Sequence, residues 1–402
     1  MLEAARARGD VHVIAVDRDP RAVGFPLAAE RAVLSSEDEE AIDRLARARS
    51  VDGIVSPGAD WPVGIAARVA ERIGLAHPID ARTGALVTSK ARQREVFAAT
   101  GVPHARAFPA DDPSLPLPAV VKAPDRQGQR GLALVRFRDD LPEAVAVARS
   151  ESRTGTVLVE ELVDGPEVTV NAISVDGQFV SLAVTDRLTA ESPAFGVALA
   201  HVWPSPHEAG PIVEVAREAV EALGIRHGPS YTQLRLGPDG PVVMEVAARL
   251  GGGHDAELCE AATGVDLNGI AVAAALSEPL SETDVSACLA RSHVLEGRVS
   301  ETGMSTCQAR GHGQRGRGAA VAFVVAPAGR LAAVDGLEDA EAADGVRWVR
   351  LYRRAGDVLR PLRRGADRAG AVLATGASRD EALERARRAA DAVRFRVDAD
   401  AP

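Results

Sequence analysis

The sequence predicts a mixed fold, α/β in its first part and α+β beyond it, and three observations carry that prediction. Strand-like and helix-like segments alternate over residues 11–74, the pattern of a parallel α/β sheet. Apolar strands joined by tight Asp-Gly turns then dominate residues 156–246, the pattern of hairpins. From about residue 285 the texture changes again, and strand-like segments lead into one long amphipathic helix, 379–393, which reads as a separate carboxy-terminal α+β unit.

Each element has its own signal. Val11-His-Val-Ile-Ala-Val-Asp17 reads as a buried strand ending in an acid, and residues 37–49 as a helix. Residues 52–56 read as a second strand before a Pro-Gly turn, and Trp61–Ile73 as a helix stopped by Gly74. A helical stretch precedes the first strand, whereas such sheets normally open on a strand and a Gly-rich turn; the expectation is an upstream start that supplies them. Residues 86–100 are helical up to Gly101-Val-Pro103. Pro118–Lys122 and 132–137 are strands around a loop, 125–131, followed by a helix at 141–150 and a strand at 156–160. Hairpins follow at 168–184, about Asp176-Gly177, and at 230–246, about Pro238-Asp-Gly240, with a helix at 211–223 between them. Gly251–Gly253 precede a helix at 256–262, and 319–326 and 348–352 are strand-like.

Composition narrows the function. A net charge of −10 over 402 residues excludes a broad nucleic-acid surface, which needs a basic stripe. No run approaches the roughly 18 apolar residues of a membrane helix, so no membrane is expected as a partner. The first ten residues lack the apolar core of a signal peptide, and the three cysteines show neither metal spacing nor an even disulfide framework. A reducing cytoplasm is the expected location.

Of 47 Lys and Arg residues only two are lysines, Lys90 and Lys122. Lysine is a compact point charge and arginine a planar fork, so two retained lysines in an arginine-rich chain ask for a chemical reason. Lys122 ends an apolar strand beside Asp125-Arg-Gln-Gly-Gln-Arg-Gly131, a loop whose glycines let backbone N–H groups approach phosphate oxygens. An ordinary hairpin turn is the alternative. Val157-Leu-Val-Glu160-Glu161-Leu-Val163 leads to Glu167; such a strand end can face an adenine and ribose, or simply water. In Val242-Val-Met-Glu245-Val-Ala-Ala-Arg249-Leu-Gly-Gly-Gly-His254 a carboxylate sits inside an apolar strand, which requires pairing or a cation. Glu245 suits Mg²⁺, and Arg249 a reacting phosphate; a plain Glu245–Arg249 ion pair is the alternative.

In this order the pieces resemble the ATP-grasp superfamily, and most of all its carboxylate–amine ligases, relatives of biotin carboxylase, glycinamide ribonucleotide synthetase and bacterial L-amino acid ligases. The resemblance covers about residues 1–395, its specific part running from Ser89-Lys90 to His254. It implies a pre-ATP-grasp α/β domain at 1–82, an ATP-grasp domain at 83–282 with a lid at about 116–167, and an α+β domain at 283–396. It implies ATP, with Mg²⁺ or Mn²⁺, and small carboxylate and amine substrates such as amino acids, with a homodimer among the assemblies it allows. Lys90 and Lys122 are implied as phosphate ligands, with Gln127, Gly128 and Gly131 in the phosphate loop. Glu160, Glu161 and Val163 would line the adenine, and Glu167 would hold the ribose. Glu245 would bind the metal, Arg249 would serve the transferred phosphate, and Gly252, Gly253 and His254 would border the carboxylate substrate.

Two positions depart from the pattern. The second metal-binding Glu is replaced by Gln233, and the Asn expected two residues after Glu245 by Ala247. Asp255 or Glu257 can compensate. The implied activity is amide formation through an acyl phosphate with release of ADP; a catalytically weakened ATP-binding regulator and a bicarbonate-using carboxylase are the alternatives. Among weaker features, 308–318 is a basic Gly-rich loop that can bind phosphate or RNA or simply flex. His201 and His207 flank Trp203-Pro204, more in the manner of an aromatic loop over the site than a metal pair, and Cys259 reads as a small core residue.

Overall fold

The computed structural model describes residues 1–279 and 318–398. A short helix α1 (Leu2–Arg8) precedes strand β1 (Ile14–Asp17), which pairs in parallel with β2 (Glu30–Val33). Helices α2 (Glu39–Arg49) and α3 (Asp60–Ile73) follow, the latter closed by Gly74 in the left-handed conformation. The strand expected at 52–56 does not form. Its backbone runs against the end of a later helix instead, where a Cβ on Gly53 would lie 2.3 Å from the Ala275 carbonyl oxygen.

The expected helix at 86–100 is two helices, α4 (Ala81–Val87) and α5 (Lys90–Thr100). Ser89 caps α5 by accepting from the Arg92 N–H at 3.4 Å, and Gly101 ends it with φ 79°. One face of α5 buries Gln93, Arg94 and Phe97, at the 3–4 residue spacing of a helix stripe, and this sets Lys90 at its first turn.

A four-stranded antiparallel sheet comes next: β3 (Ala107–Phe108), β4 (Ala119–Lys122), β5 (Ala133–Val135) and β6 (Leu158–Glu161), ordered β3-β6-β4-β5 and backed by α6 (Leu141–Glu151). Its core is Leu115, Val121, Val135, Leu141 and Val159. The chain then builds a larger antiparallel layer from β7 (Glu167–Val175), β8 (Gln178–Thr189), β9 (Ala198–Trp203), β10 (Gly228–Gly237) and β11 (Gly240–Ala247). Helices α7 (Ala209–Ala222), α8 (Asp255–Thr263) and α9 (Leu267–Ala275) cover it. Cys259 lies fully buried on α8 within that core.

The carboxy-terminal strands do not stand apart. β12 (Gly318–Val324) hydrogen-bonds to β9, and the large sheet continues through β16 and β14 in the order β11-β10-β7-β8-β9-β12-β16-β14. Here β13 is Gly329–Asp335, β14 Val346–Leu351, β15 Val358–Leu359, β16 Gly370–Gly376 and β17 Arg394–Asp398. The helix Arg379–Ala392 packs Ala382, Ala386, Ala389 and Ala390 on this end of the sheet. Apart from Gly318, the basic Gly-rich segment lies outside the described residues, as do Cys288 and Cys307. No single helix among the described residues is long and apolar enough to cross a membrane.

Candidate active site

The two lysines come from different layers. Lys90 starts α5 and Lys122 ends β4. Lys90 donates to Glu245 Oε1 at 2.7 Å and to the Arg126 carbonyl of the glycine loop at 3.1 Å. This reaches from the glycine loop to the strand of the expected metal ligand. A cation at the start of a helix opposes the helix dipole, so Lys90 needs the Glu245 carboxylate, or another anion, beside it.

Lys122 pairs with Glu160, which lies diagonally across the β4–β6 ladder and is 1% exposed. Arg94 donates to the other oxygen of the same carboxylate at 2.5 Å and to the Met244 carbonyl at 2.7 Å. Burial favours the neutral acid of Glu160, but Arg94 and Lys122 override it and hold the carboxyl below its usual range. Burial lowers the Lys122 ammonium below the ordinary lysine value; Glu160 opposes this, and Arg94 and Lys90 add to it. Two buried cations therefore share one carboxylate, and the buried Nη1 of Arg94 has no hydrogen-bond partner. The surplus is positive, and phosphate is the kind of anion that would balance it.

The loop between these lysines is shaped by backbone sign. Gly128, Gln129 and Gly131 have φ of 69°, 63° and 64°. Gly131 is doubly constrained, because a Cβ there would come within 3.2 Å of both Ala123 Cβ and Ala148 Cα. Asp125 anchors the base of the loop, accepting from the Thr154 N–H at 2.9 Å and the Ser152 hydroxyl at 3.0 Å. Gln127 reaches out of the loop to accept from the Asp60 N–H at 2.6 Å and to donate to the Gly58 carbonyl at 3.3 Å.

Arg249 does not pair with Glu245. Its Nε donates to Asp60 Oδ1 at 2.5 Å and its Nη1 to the Leu250 carbonyl at 2.6 Å. A chain of contacts thus runs from the loop through Gln127 and Asp60 to Arg249. The remaining positions are placed less directly. Glu161 points to the opposite face from Glu160, where Arg106 holds it at 2.6 Å. The Val163 carbonyl accepts from Arg235 at 3.1 Å. Glu167 is already engaged by Arg187, by the Gln233 amide at 2.5 Å and by Arg235 at 3.5 Å. A ribose hydroxyl there would have to share these partners.

Gln233 and Glu245 stand directly opposite in the β10–β11 pair. The Gln233 nitrogen donates to Glu167, which leaves its carbonyl oxygen for another partner. One carboxylate and one amide oxygen are hard donors that fit a Mg²⁺ keeping water and phosphate oxygens in its other positions. They do not make a protein cage: no group of three or more His, Cys, Asp or Glu among the described residues is arranged to hold a metal. The two acids expected to compensate are occupied. Asp255, fully buried, pairs with His201 at 2.6 Å and takes the Thr169 hydroxyl at 3.4 Å. Glu257 takes Arg350 at 2.8 Å with His254 at 3.6 Å; burial works against the charge, yet these partners pull its carboxyl down to about 2. His201 is thus a buried partner of an acid.

The Gly251–His254 turn is held tightly. A Cβ on Gly253, at φ 74°, would meet the Phe323 ring at 2.8 Å, and one on Gly251 would strike Tyr231 and Asp255 at 2.6 Å; Gly252 faces open space. His254 adopts φ 65° at the start of α8, shares a 2.6 Å hydrogen bond with the Tyr352 hydroxyl and lies edge-on to Trp348. Sequence reasoning missed Arg94, Arg187 and the His201–Asp255 pair. In a chain this rich in arginine, no composition signal separates a buried guanidinium from a surface one.

Comparison with known proteins agrees with this geometry. The family model described as ATP-grasp domain matches residues 115–257, and the one described as L-amino acid ligase C-terminal domain 2 matches residues 322–398. Among solved structures, L-amino acid ligase from Bacillus licheniformis superposes with a TM-score of 0.80 at 24% identity, covering 99% of this chain and 95% of that one. That likeness shows the fold. An uncharacterized protein of Sinorhizobium fredii, y4rH, is 27% identical over 98% of this chain and 80% of its own length. The ATP-grasp enzyme fsqD of Aspergillus fumigatus is 32% identical over 47% of this chain and only 33% of its own. Lys122 and Glu245 both lie inside the segment that matches the ATP-grasp domain. The chain carries an ATP-grasp domain and an L-amino acid ligase C-terminal domain.

Proposed function

We propose that the protein is an ATP-dependent carboxylate–amine ligase. The observation that carries this reading is the convergence of the chain's two lysines, each held by one acid, on a glycine loop with surplus positive charge. A carboxylate oxygen of the acid attacks the γ-phosphorus of ATP, the bond to the β–γ bridging oxygen breaks, and ADP leaves. An amine nitrogen then attacks the acyl carbon, orthophosphate departs, and the nitrogen gives up a proton. The protein supplies position and charge rather than a covalent nucleophile. Lys90 and Lys122 orient the phosphates, Arg249 steadies the transferred phosphoryl, and the Gly251–His254 turn borders the acid. Glu245 and Gln233 would hold a Mg²⁺, which supplies further neutralisation of phosphate charge. Small acids and amines, amino acids among them, are the proposed substrates, and the division into units at 1–82, 83–282 and 283–396 is part of the same proposal.

The products test the reaction. Incubation with ATP and pooled amino acids or small carboxylic acids should release ADP and orthophosphate, and hydroxylamine should trap the activated acid as a hydroxamate. AMP and pyrophosphate as the main products would remove the acyl-phosphate route.

A second reading, an ATP-binding regulator with weakened catalysis, is favoured by one observation: only one of the facing residues Gln233 and Glu245 is charged. Nucleotide binding without ADP release from any acid would support it. The metal dependence separates the two. With MgATP fixed, Gln233→Glu should lower the half-saturating free Mg²⁺ by about tenfold, a restored charged ligand being worth about 1.4 kcal/mol. An original protein that saturates at low free Mg²⁺, with no gain in the variant, would place the second ion elsewhere.

A further inference from the structure

Four of the arginines set into the described part of the molecule are matched to carboxylates. Arg94 has Glu160, Arg187 has Glu167, Arg249 has Asp60 and Arg379 has Asp186. Arg368 has no such partner. It lies in the turn before β16, half-buried, with its guanidinium 3.7 Å from the centre of the Phe323 ring. Its hydrogen bonds go only to backbone carbonyls, Gly365 at 2.9 Å and Ala198 at 3.4 Å. Among the described residues it has no carboxylate partner. The adjacent acid is committed elsewhere, since Asp367 Oδ2 accepts the N–H groups of Arg363 and Arg364 at 3.0 and 2.9 Å. Burial pushes the Arg368 guanidinium down to about 10; Tyr352 and Tyr231 oppose this, and Arg187 adds to it. A cation removed from water against an aromatic face, with no counter-ion, is incomplete until an anion joins it.

Its surroundings indicate which anion. Phe323, beneath Arg368, closes over Gly253 and lies edge-on to His201. Tyr352, which acts on Arg368 electrostatically, holds His254. Gly365, to which Arg368 donates, approaches Gln129 at the tip of the glycine loop, whose Oε1 would be 3.5 Å from a Cβ there. Arg368 therefore stands between the turn that borders the acid and the loop proposed to cover the phosphates. An amine attacking an acyl phosphate formed at that turn would come within reach of Arg368. We infer that Arg368 anchors a carboxylate carried by the incoming amine, and so selects amino acids over simple amines as nucleophiles. This rests on the acyl-phosphate reading above.

Hydroxylamine has no carboxylate, so it reports formation of the acyl phosphate without engaging Arg368. The measurement is the ratio of kcat/KM for the best of the twenty amino acids to kcat/KM for hydroxylamine, with the same acid activated in both. Arg368→Met keeps most of the apolar stem and removes the charge. The ratio should fall by about 30-fold, the size of a lost charge-assisted contact, and Arg368→Lys should recover part of it. In the unaltered protein, the carboxamide of that amino acid should already be about 30-fold poorer than the amino acid itself. An amide used as well as the acid would overturn the inference, whatever the variants do. So would equal losses with both nucleophiles, which would assign the charge to the acid or to ATP. Hydroxamate formed by the unaltered protein keeps those failures distinct from failure of the ligase reading, in which no acid yields any hydroxamate and the inference falls with it.

Discussion

Replacing Lys122 by arginine is expected to weaken MgATP binding by about 100-fold, roughly 2.7 kcal/mol, although the formal charge is kept. The side chain is nearly buried at the end of β4, against a carboxylate whose other oxygen Arg94 already holds. A planar guanidinium needs more width than an ammonium and wants two coplanar acceptors. Neither is available without moving β6. The Lys90 side chain is about as shielded, but its partner Glu245 is more exposed than Glu160, so Lys90→Arg should cost less, about tenfold. Equilibrium titration with MgATP measures both. Unchanged affinity in the two variants would take the lysines out of the nucleotide site.

Arg94→Met should be the most destabilising single change at this site, by about 3–5 kcal/mol, because it leaves a buried carboxylate with one cation instead of two and the Met244 carbonyl without its guanidinium donor. For a chain of this size unfolding as one unit, that corresponds to a drop of about 4–6 °C in the thermal midpoint. Adding Glu160→Gln should return none of the loss, since the Lys122 ammonium is then left buried without an anion. Chemical denaturation of the single and double variants decides it. A loss below about 1 kcal/mol would mean that water reaches Glu160 and that the triad is not a buried electrostatic unit.

Much of this site was legible before any coordinates. Ser89, Gly101 and the apolar stripe between them define α5, and Gly74 ends α3, because capping chemistry is local. The lysines stood out because the chain otherwise chooses arginine, and Glu245 because an acid inside an apolar strand needs a partner. Which partner it takes was not legible. Glu245 meets Lys90 and Arg249 meets Asp60, pairings made by packing α3 and α5 against β11, and no spacing in the sequence encodes them. Strand β2 was missed because it is short and alternately exposed, whereas 52–56 is apolar enough to resemble a strand yet lies against a helix end. The pairing of β9 with β12 joins distant segments, so the carboxy-terminal part reads in sequence as a separate unit.

That pairing has a mechanical consequence. β11, with Glu245, and β14, near Arg350 and Tyr352, are opposite margins of one continuous ladder. Swinging the carboxy-terminal strands away from the β11 side would sever a row of backbone hydrogen bonds, each worth about 1 kcal/mol net. The four-stranded sheet has no such backbone ladder to it: among the described residues one bridge, His104 to Val243, links the large ladder to the segment just before it, and the other ties are side-chain contacts, Arg94 to Glu160, Lys90 to the Arg126 carbonyl and Gln127 to Asp60. Breathing of the cleft should therefore concentrate in β3 to β6, with Lys122 riding on the moving part and Lys90, Glu245 and Arg249 on the frame. Opening and closing then changes the spacing between the two lysines while leaving the acid-bearing floor undisturbed.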